Sequence, residues 1–106
     1  MDNEFEMEVS VTLDGDDTIV AIAGELDALT STRLRQIVMP LLGPGDGRIV
    51  VDLVGVGFLG TRGAQTILDL HRLAREAGRG LSVRGLTRQS RRAMRLVDVD
   101  EEVPEA

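Results

Sequence analysis

Arg48 is followed by Ile49-Val50-Val51-Asp52-Leu53-Val54, and then by Gly55-Val56-Gly57-Phe58-Leu59-Gly60-Thr61-Arg62-Gly63-Ala64. The first run is continuously apolar apart from Asp52 and rich in β-branched residues, the pattern of a parallel strand covered on both faces. From about Thr61 to Ala77 the spacing becomes helical, with Ala64, Ile67, Leu68, His71 and Ala74 along one side. Gly78 and Gly80 end that helix. Leu81-Ser82-Val83-Arg84 then reads as a short, half-buried strand. Strand, helix and strand in this order imply a parallel pair joined by a right-handed crossover.

Upstream, Phe5, Met7, Val9, Val11 and Leu13 alternate with polar residues, which predicts a strand with one wet face. Asp14-Gly15-Asp16-Asp17 is a turn, and Thr18 to Ala23 is apolar on both faces, so the pair reads as an antiparallel hairpin. Gly24-Glu25-Leu26-Asp27 breaks the second strand, and Asp27 or Thr30 can cap the helix that follows. Its stripe is Leu34, Ile37, Val38, Leu41 and Leu42; Pro40 falls inside it and should kink the helix or end it near Met39. Gly43 to Gly47 is a loop. At the other end, Thr87 or Ser90 caps a last helix with Ala93, Met94 and Val97 inward. The acidic stretch from Asp98 to Ala106 is expected to fray beyond Val103. The order β-β-α-β-α-β-α predicts an α/β fold of one domain: a small mixed sheet with helices packed against it.

With 106 residues, the chain has room for a single core. No cysteine is present, which excludes a disulfide scaffold, a thiolate metal site and a cysteine nucleophile. Any catalytic triad would have to use the single histidine, His71, which lies on an apolar helix face and reads as a core residue. Asp52, inside the buried run, is expected to pair with an arginine or to reach the strand end; a lone carboxylate does no acid-base chemistry. No metal site and no cofactor are expected, since Asp14, Asp16 and Asp17 lack the spacing of a calcium loop.

The net charge of −6 conceals a pattern. All twelve bases, every one Arg, lie between Arg33 and Arg95, while the two ends are acidic. Mutual neutralisation within one small domain accounts for this. The net charge and the absence of Trp and Tyr argue against a nucleic-acid partner. Nothing is long and apolar enough to span a membrane. The acidic start at Asp2, Glu4, Glu6 and Glu8 is unlike a signal peptide, so a cytoplasmic location is expected.

Two motifs bear on function. Gly55-Val56-Gly57-Phe58-Leu59-Gly60 matches the glycine pattern of a dinucleotide site, between a strand and a helix. Against it, the next strand carries Arg84 where a ribose-binding acid belongs, so nucleotide binding stays a minor alternative. Thr61 stands at the predicted N-cap of the long helix, its hydroxyl within reach of the amides of Gly63 or Ala64. A hydroxyl at an exposed helix start is also approachable by another protein, and a phosphate added there would oppose docking of an apolar or acidic partner.

Taken together, Gly24-Glu25-Leu26-Asp27, Ile49 to Leu53, Phe58-Leu59 and the terminal helix from Thr87 to Leu96 resemble the STAS domain family, and within it the bacterial anti-sigma factor antagonists, over about residues 7–100. The resemblance implies a switch and no enzyme activity. Such a protein binds an anti-sigma factor, often of the serine/threonine kinase type, and so frees a sigma factor. The kinase phosphorylates the first hydroxyl of the strand-to-helix turn and a phosphatase reverses it; Thr61 falls at that position. The implied partner face is Gly24, Glu25, Leu26 and Asp27 with Leu59, Gly60, Thr61, Arg62, Gly63 and Ala64. Relatives usually carry Asp-Ser-Ser/Thr-Gly where this chain has Gly60-Thr61-Arg62-Gly63. The alternative is a constitutive interaction module without phosphorylation, and the oligomeric state is open between monomer and weak homodimer.

Overall fold

The computed structural model describes residues 7–45 and 47–106. Phe5, Asp46 and the acids Asp2, Glu4 and Glu6 lie outside the described residues. The elements are β1 (Glu8–Asp14), β2 (Asp17–Leu26), α1 (Ala28–Val38), a single 3₁₀ turn (Met39–Leu42), β3 (Ile49–Leu59), α2 (Thr61–Glu76), β4 (Leu81–Arg84) and α3 (Arg88–Val97). The sheet order is β1-β2-β3-β4, with β1 antiparallel to β2 and the other pairs parallel. This is the mixed α/β architecture predicted, and α1 gives way to the 3₁₀ turn one residue before Pro40's predecessor, Met39, would have ended it.

Register places Val11, Val20, Val51 and Val83 in one row and Ile49 beside Leu81. From β2, β3 and β4 these side chains form the core with Leu34 and Val38 of α1, Ile67 and Leu70 of α2, and Ala93 and Met94 of α3. Each fully buried Leu or Ile contributes about 1.5–3 kcal/mol of transfer free energy. The neighbouring row carries Asp52 opposite Arg84, and the two pair at 3.1 Å as expected. His71 is a buried residue of α2, with Nδ1 3.1 Å from the Leu81 carbonyl oxygen. Arg79 ties down the loop before β3, donating to the carbonyls of Gly47 at 2.7 Å and Gly43 at 3.1 Å.

Three expectations are corrected. First, β1 has no continuous dry face: Val9 packs on the core, but Val11 and Leu13 are exposed on this edge strand. Second, Gly24-Glu25-Leu26 does not break β2. It pairs on with β3 through Gly24↔Val56, Glu25↔Phe58 and Leu26↔Leu59, and two register shifts absorb the irregularity. Gly24 takes φ 103°, a conformation that favours glycine.

Third, the C-terminal stretch is docked rather than frayed. Val83 donates its amide to the Pro104 carbonyl at 2.9 Å, and Ala106 donates to Val83 at 2.7 Å, so the segment lies parallel to β4 along its outer edge. Arg72 donates to both Glu102 oxygens, at 3.0 and 2.6 Å, and Arg91 to both of Glu105. Asp98 accepts the amides of Glu102 and Val103 at 2.7 and 2.9 Å. The bond from Arg72 holds the Glu102 carboxyl below its ordinary range, helped by the nearby charges of Arg72 and Arg75. Arg91 does the same for Glu105.

A carboxyl whose pKa is lower folded than unfolded stabilises the folded state above its unfolded pKa and loses that contribution as pH falls through the folded value. The clasp is therefore complete at neutral pH and is expected to release below the ordinary glutamate value of about 4.3. Amide exchange at Val83, corrected for its intrinsic rate, should accelerate there while Val51 in the central strand stays protected. Equal protection of Val83 at neutral and strongly acid pH contradicts this.

Candidate functional site

Because β2, β3 and β4 are parallel and each leads into a helix, the N-termini of α1, α2 and α3 open along one edge of the sheet, where the strands end. Ligands of α/β sheets are generally met at this edge. Hydrogen bonds join the three turns. Gly60 donates its amide to the Leu26 carbonyl at 2.9 Å. The Gln89 side chain, in the first turn of α3, donates to the Leu59 carbonyl at 2.7 Å and accepts the Leu59 amide at 2.9 Å.

Two of the three helix starts are closed by their own side chains. Asp27 accepts the amides of Leu29 and Thr30 at 2.9 and 3.2 Å, and the Thr30 hydroxyl accepts the Asp27 amide at 3.0 Å. Thr87 and Ser90 do the same for α3. The start of α2 has no side-chain cap. Thr61 is not its N-cap, as the sequence suggested; Gly60 is, in an extended conformation, and its carbonyl accepts the Ala64 amide at 2.9 Å. That bond starts the helix at Thr61, whose side chain is exposed and makes no hydrogen bond among the described residues.

The residues expected at a partner face divide by burial. Leu26, Leu59 and Ala64 have no exposed area, and Gly63 is buried. They shape the edge from beneath. Gly63 permits the close approach of α2 to the end of β2, since a Cβ there would lie 2.4 Å from the Leu26 carbonyl oxygen. Glu25, Thr61 and Arg62 are exposed, while Gly24, Asp27 and Gly60 are half-buried. Arg62 also rims a cleft of about 220 Å³ between α1 and α2, near Ser31, Thr66 and the Arg35–Asp69 pair (3.2 Å).

Sequence reasoning missed four contributors. Phe58 is 47% and Leu29 87% exposed, so the edge has apolar surface of its own. Leu29 was recognisable, because it falls off the stripe that Leu34 and Val38 define. Arg88 and Arg92 lie one turn apart on the solvent side of α3, flanking the Gln89 clamp. Nothing in the sequence places α3 beside Leu59.

The glycine pattern does not build a phosphate loop. Gly55 and Gly57 are residues of β3, and Gly55 sits at the register shift with β2. Their amides therefore do not form the tight turn that a pyrophosphate needs. Among the described residues, no group of three acidic or histidine side chains is placed to hold a metal ion, and no helix is long and apolar enough to cross a membrane.

A family model described as "Mlab, STAS domain" matches residues 9–105. None of the curated proteins matches the chain. Among solved structures, an anti-sigma factor antagonist from Mycobacterium paratuberculosis is 25% identical, with a TM-score of 0.79 over 94% of this chain and 85% of that one. The anti-sigma factor antagonist SpoIIAA in its unphosphorylated form is 13% identical, with a TM-score of 0.74 over 93% of this chain and 88% of that one. The murine Slc26a9 anion transporter contains a similar fold: 15% identity and a TM-score of 0.72, covering 92% of this chain but 19% of the transporter. At such identities the last two likenesses are of fold alone.

Proposed function

Since the chain belongs to the STAS domain family, we propose that it acts as an anti-sigma factor antagonist. On this reading it docks an anti-sigma factor of the serine/threonine kinase type at the edge where the three helices begin, and a sigma factor is thereby released. The M. paratuberculosis antagonist, alike over most of both chains, supports the role. The observation that carries the mechanism is Thr61: it bears the open hydroxyl at the one of the three described α-helix starts that lacks a side-chain cap. The other hydroxyls at these turns, Thr30, Thr87 and Ser90, are engaged in hydrogen bonds.

A phosphate on Thr61 would sit at the free amides of the first turn of α2, where the helix dipole tolerates a dianion. The same dianion would stand in the middle of the docking surface and oppose a partner seated there. The kinase would add it, a phosphatase would remove it, and the site of action on this reading is the cytoplasm. The protein itself supplies no bond-making chemistry in this scheme.

Incubation with the anti-sigma kinase and ATP tests the switch. The expected result is a mass gain of one phosphate mapped to Thr61. No gain, or a gain mapped elsewhere, removes phosphorylation from the account. Arg62 favours a second reading: its exposed guanidinium stands beside Thr61 and could neutralise a phosphate, which would leave a constitutive docking module. That reading expects binding indifferent to ATP.

A further inference from the structure

We propose that the partner meets this edge with an acidic protein surface, and that Arg62, Arg88 and Arg92 select it. The inference rests on the docking role above and names the chemistry of the partner.

Five of the chain's twelve arginines pair with its own acids among the described residues. Arg35 bonds Asp69, Arg72 and Arg75 bond Glu102, Arg84 bonds Asp52 and Arg91 bonds Glu105. Arg62, Arg88 and Arg92 are exposed and make no ion pair among the described residues. All three belong to the first two turns of α2 or α3, at the edge where three helix dipoles present their positive ends. The turns hold two acids. Asp27 is turned inward on the amides of its own helix, which leaves Glu25 as their one free carboxylate.

The opposite edge is mixed, with Asp14, Asp16 and Glu76 exposed there together with Arg48 and Arg75. A chain of net charge −6 still offers one positive end. Such polarity orients an acidic partner, attracting it here more than at the mixed edge. Exposed Phe58 and Leu29 supply apolar area, and a centre of this kind with arginine nearby is the usual composition of a protein interface. A polyanion such as DNA, or an anionic membrane, would extend beyond the positive edge onto the net-negative remainder of the chain. The chain also lacks Trp and Tyr for base stacking. The observations therefore favour a bounded acidic protein surface.

Association kinetics with the purified anti-sigma factor test this. The wild-type chain should associate more slowly as salt rises from about 0.01 M to 1 M, where the screening length shrinks from about 30 Å to about 3 Å. The triple variant Arg62→Gln/Arg88→Gln/Arg92→Gln should associate about tenfold or more slower at low salt, with a flatter salt dependence and a smaller change in dissociation. The salt titration uses the unaltered protein, so it stands even if the variant folds poorly. Salt-independent association of the wild type, or a folded triple variant that binds at the wild-type rate, overturns the acidic partner while leaving docking intact. Failure of the wild type to bind any anti-sigma factor removes the docking reading and this inference with it. Tighter binding to double-stranded DNA or to anionic vesicles than to the anti-sigma factor also overturns it.

Discussion

Gly63→Ala is expected to lower the unfolding free energy by about 2–3 kcal/mol. The new methyl would lie 2.4 Å from the Leu26 carbonyl oxygen, 2.8 Å from Leu26 Cγ and 2.9 Å from Leu59 Cδ1. Two of these neighbours are core side chains with no exposed area, and the third is backbone at the end of β2. None can swing aside, so α2 must move off the sheet. The roughly 1 kcal/mol that alanine gains over glycine inside a helix offsets only part of this. Gly60→Ala is the control: its Cβ would stand at 3.6–3.7 Å from its nearest neighbours, an ordinary contact. Its cost should stay under about 1 kcal/mol, the loss of a tolerable N-cap. Denaturant unfolding of both variants measures the difference. Equal stabilities would mean that α2 does not seat against Leu26 as described.

Thr61→Glu is expected to weaken binding of the anti-sigma factor by about 1–3 kcal/mol, a factor of roughly 5 to 150. The carboxylate would stand at the exposed first position of α2 between Gly60 and Arg62. An acid in the first turn of a helix is favourable, by about 0.3–1 kcal/mol. Folding stability should therefore hold or rise while affinity falls. That opposite movement separates a lost contact from a damaged fold. Thr61→Ser keeps the hydroxyl and should bind as the wild type does. Unchanged affinity of Thr61→Glu would place the contact elsewhere.

The order of elements was legible because each has a strong local signature. The β-branched run from Ile49 to Val54 announced β3, the stripe from Ala64 to Ala74 announced α2, and the capping pairs Asp27 or Thr30 and Thr87 or Ser90 marked the starts of α1 and α3. Errors fell where long-range pairing overrides local preference. Gly24 and Gly57 look like strand breakers, yet the parallel ladder of β2 and β3 carries both strands to Leu26 and Leu59. The C-terminal segment is polar and acidic, which reads as a loose end. Its order comes from Arg72 and Arg91, residues 30 and 14 positions away from their partners.

The candidate site was legible by position and less so by surface. Local pattern put Thr61 at a helix start, but could not show that the Gly60 carbonyl, rather than the Thr61 hydroxyl, meets the Ala64 amide. A hydroxyl predicted to be occupied is open in consequence. The partner residues carried over from the resemblance include Leu26, Leu59 and Ala64, whose burial depends on how α2 crosses the ends of two strands. The basic flank contributed by Arg88 and Arg92 follows from Gln89 clamping Leu59 across 30 residues of sequence. No periodicity encodes that contact.

The most direct test of the account is an amide-exchange footprint of the protein with and without the anti-sigma factor. Added protection should concentrate at the three helix starts, residues 25–30, 58–63 and 87–92, with β1 and the segment from Asp98 to Ala106 unchanged. A footprint on the β1 edge or on that C-terminal segment, with the turn around Thr61 exchanging as it does in the free protein, would contradict it.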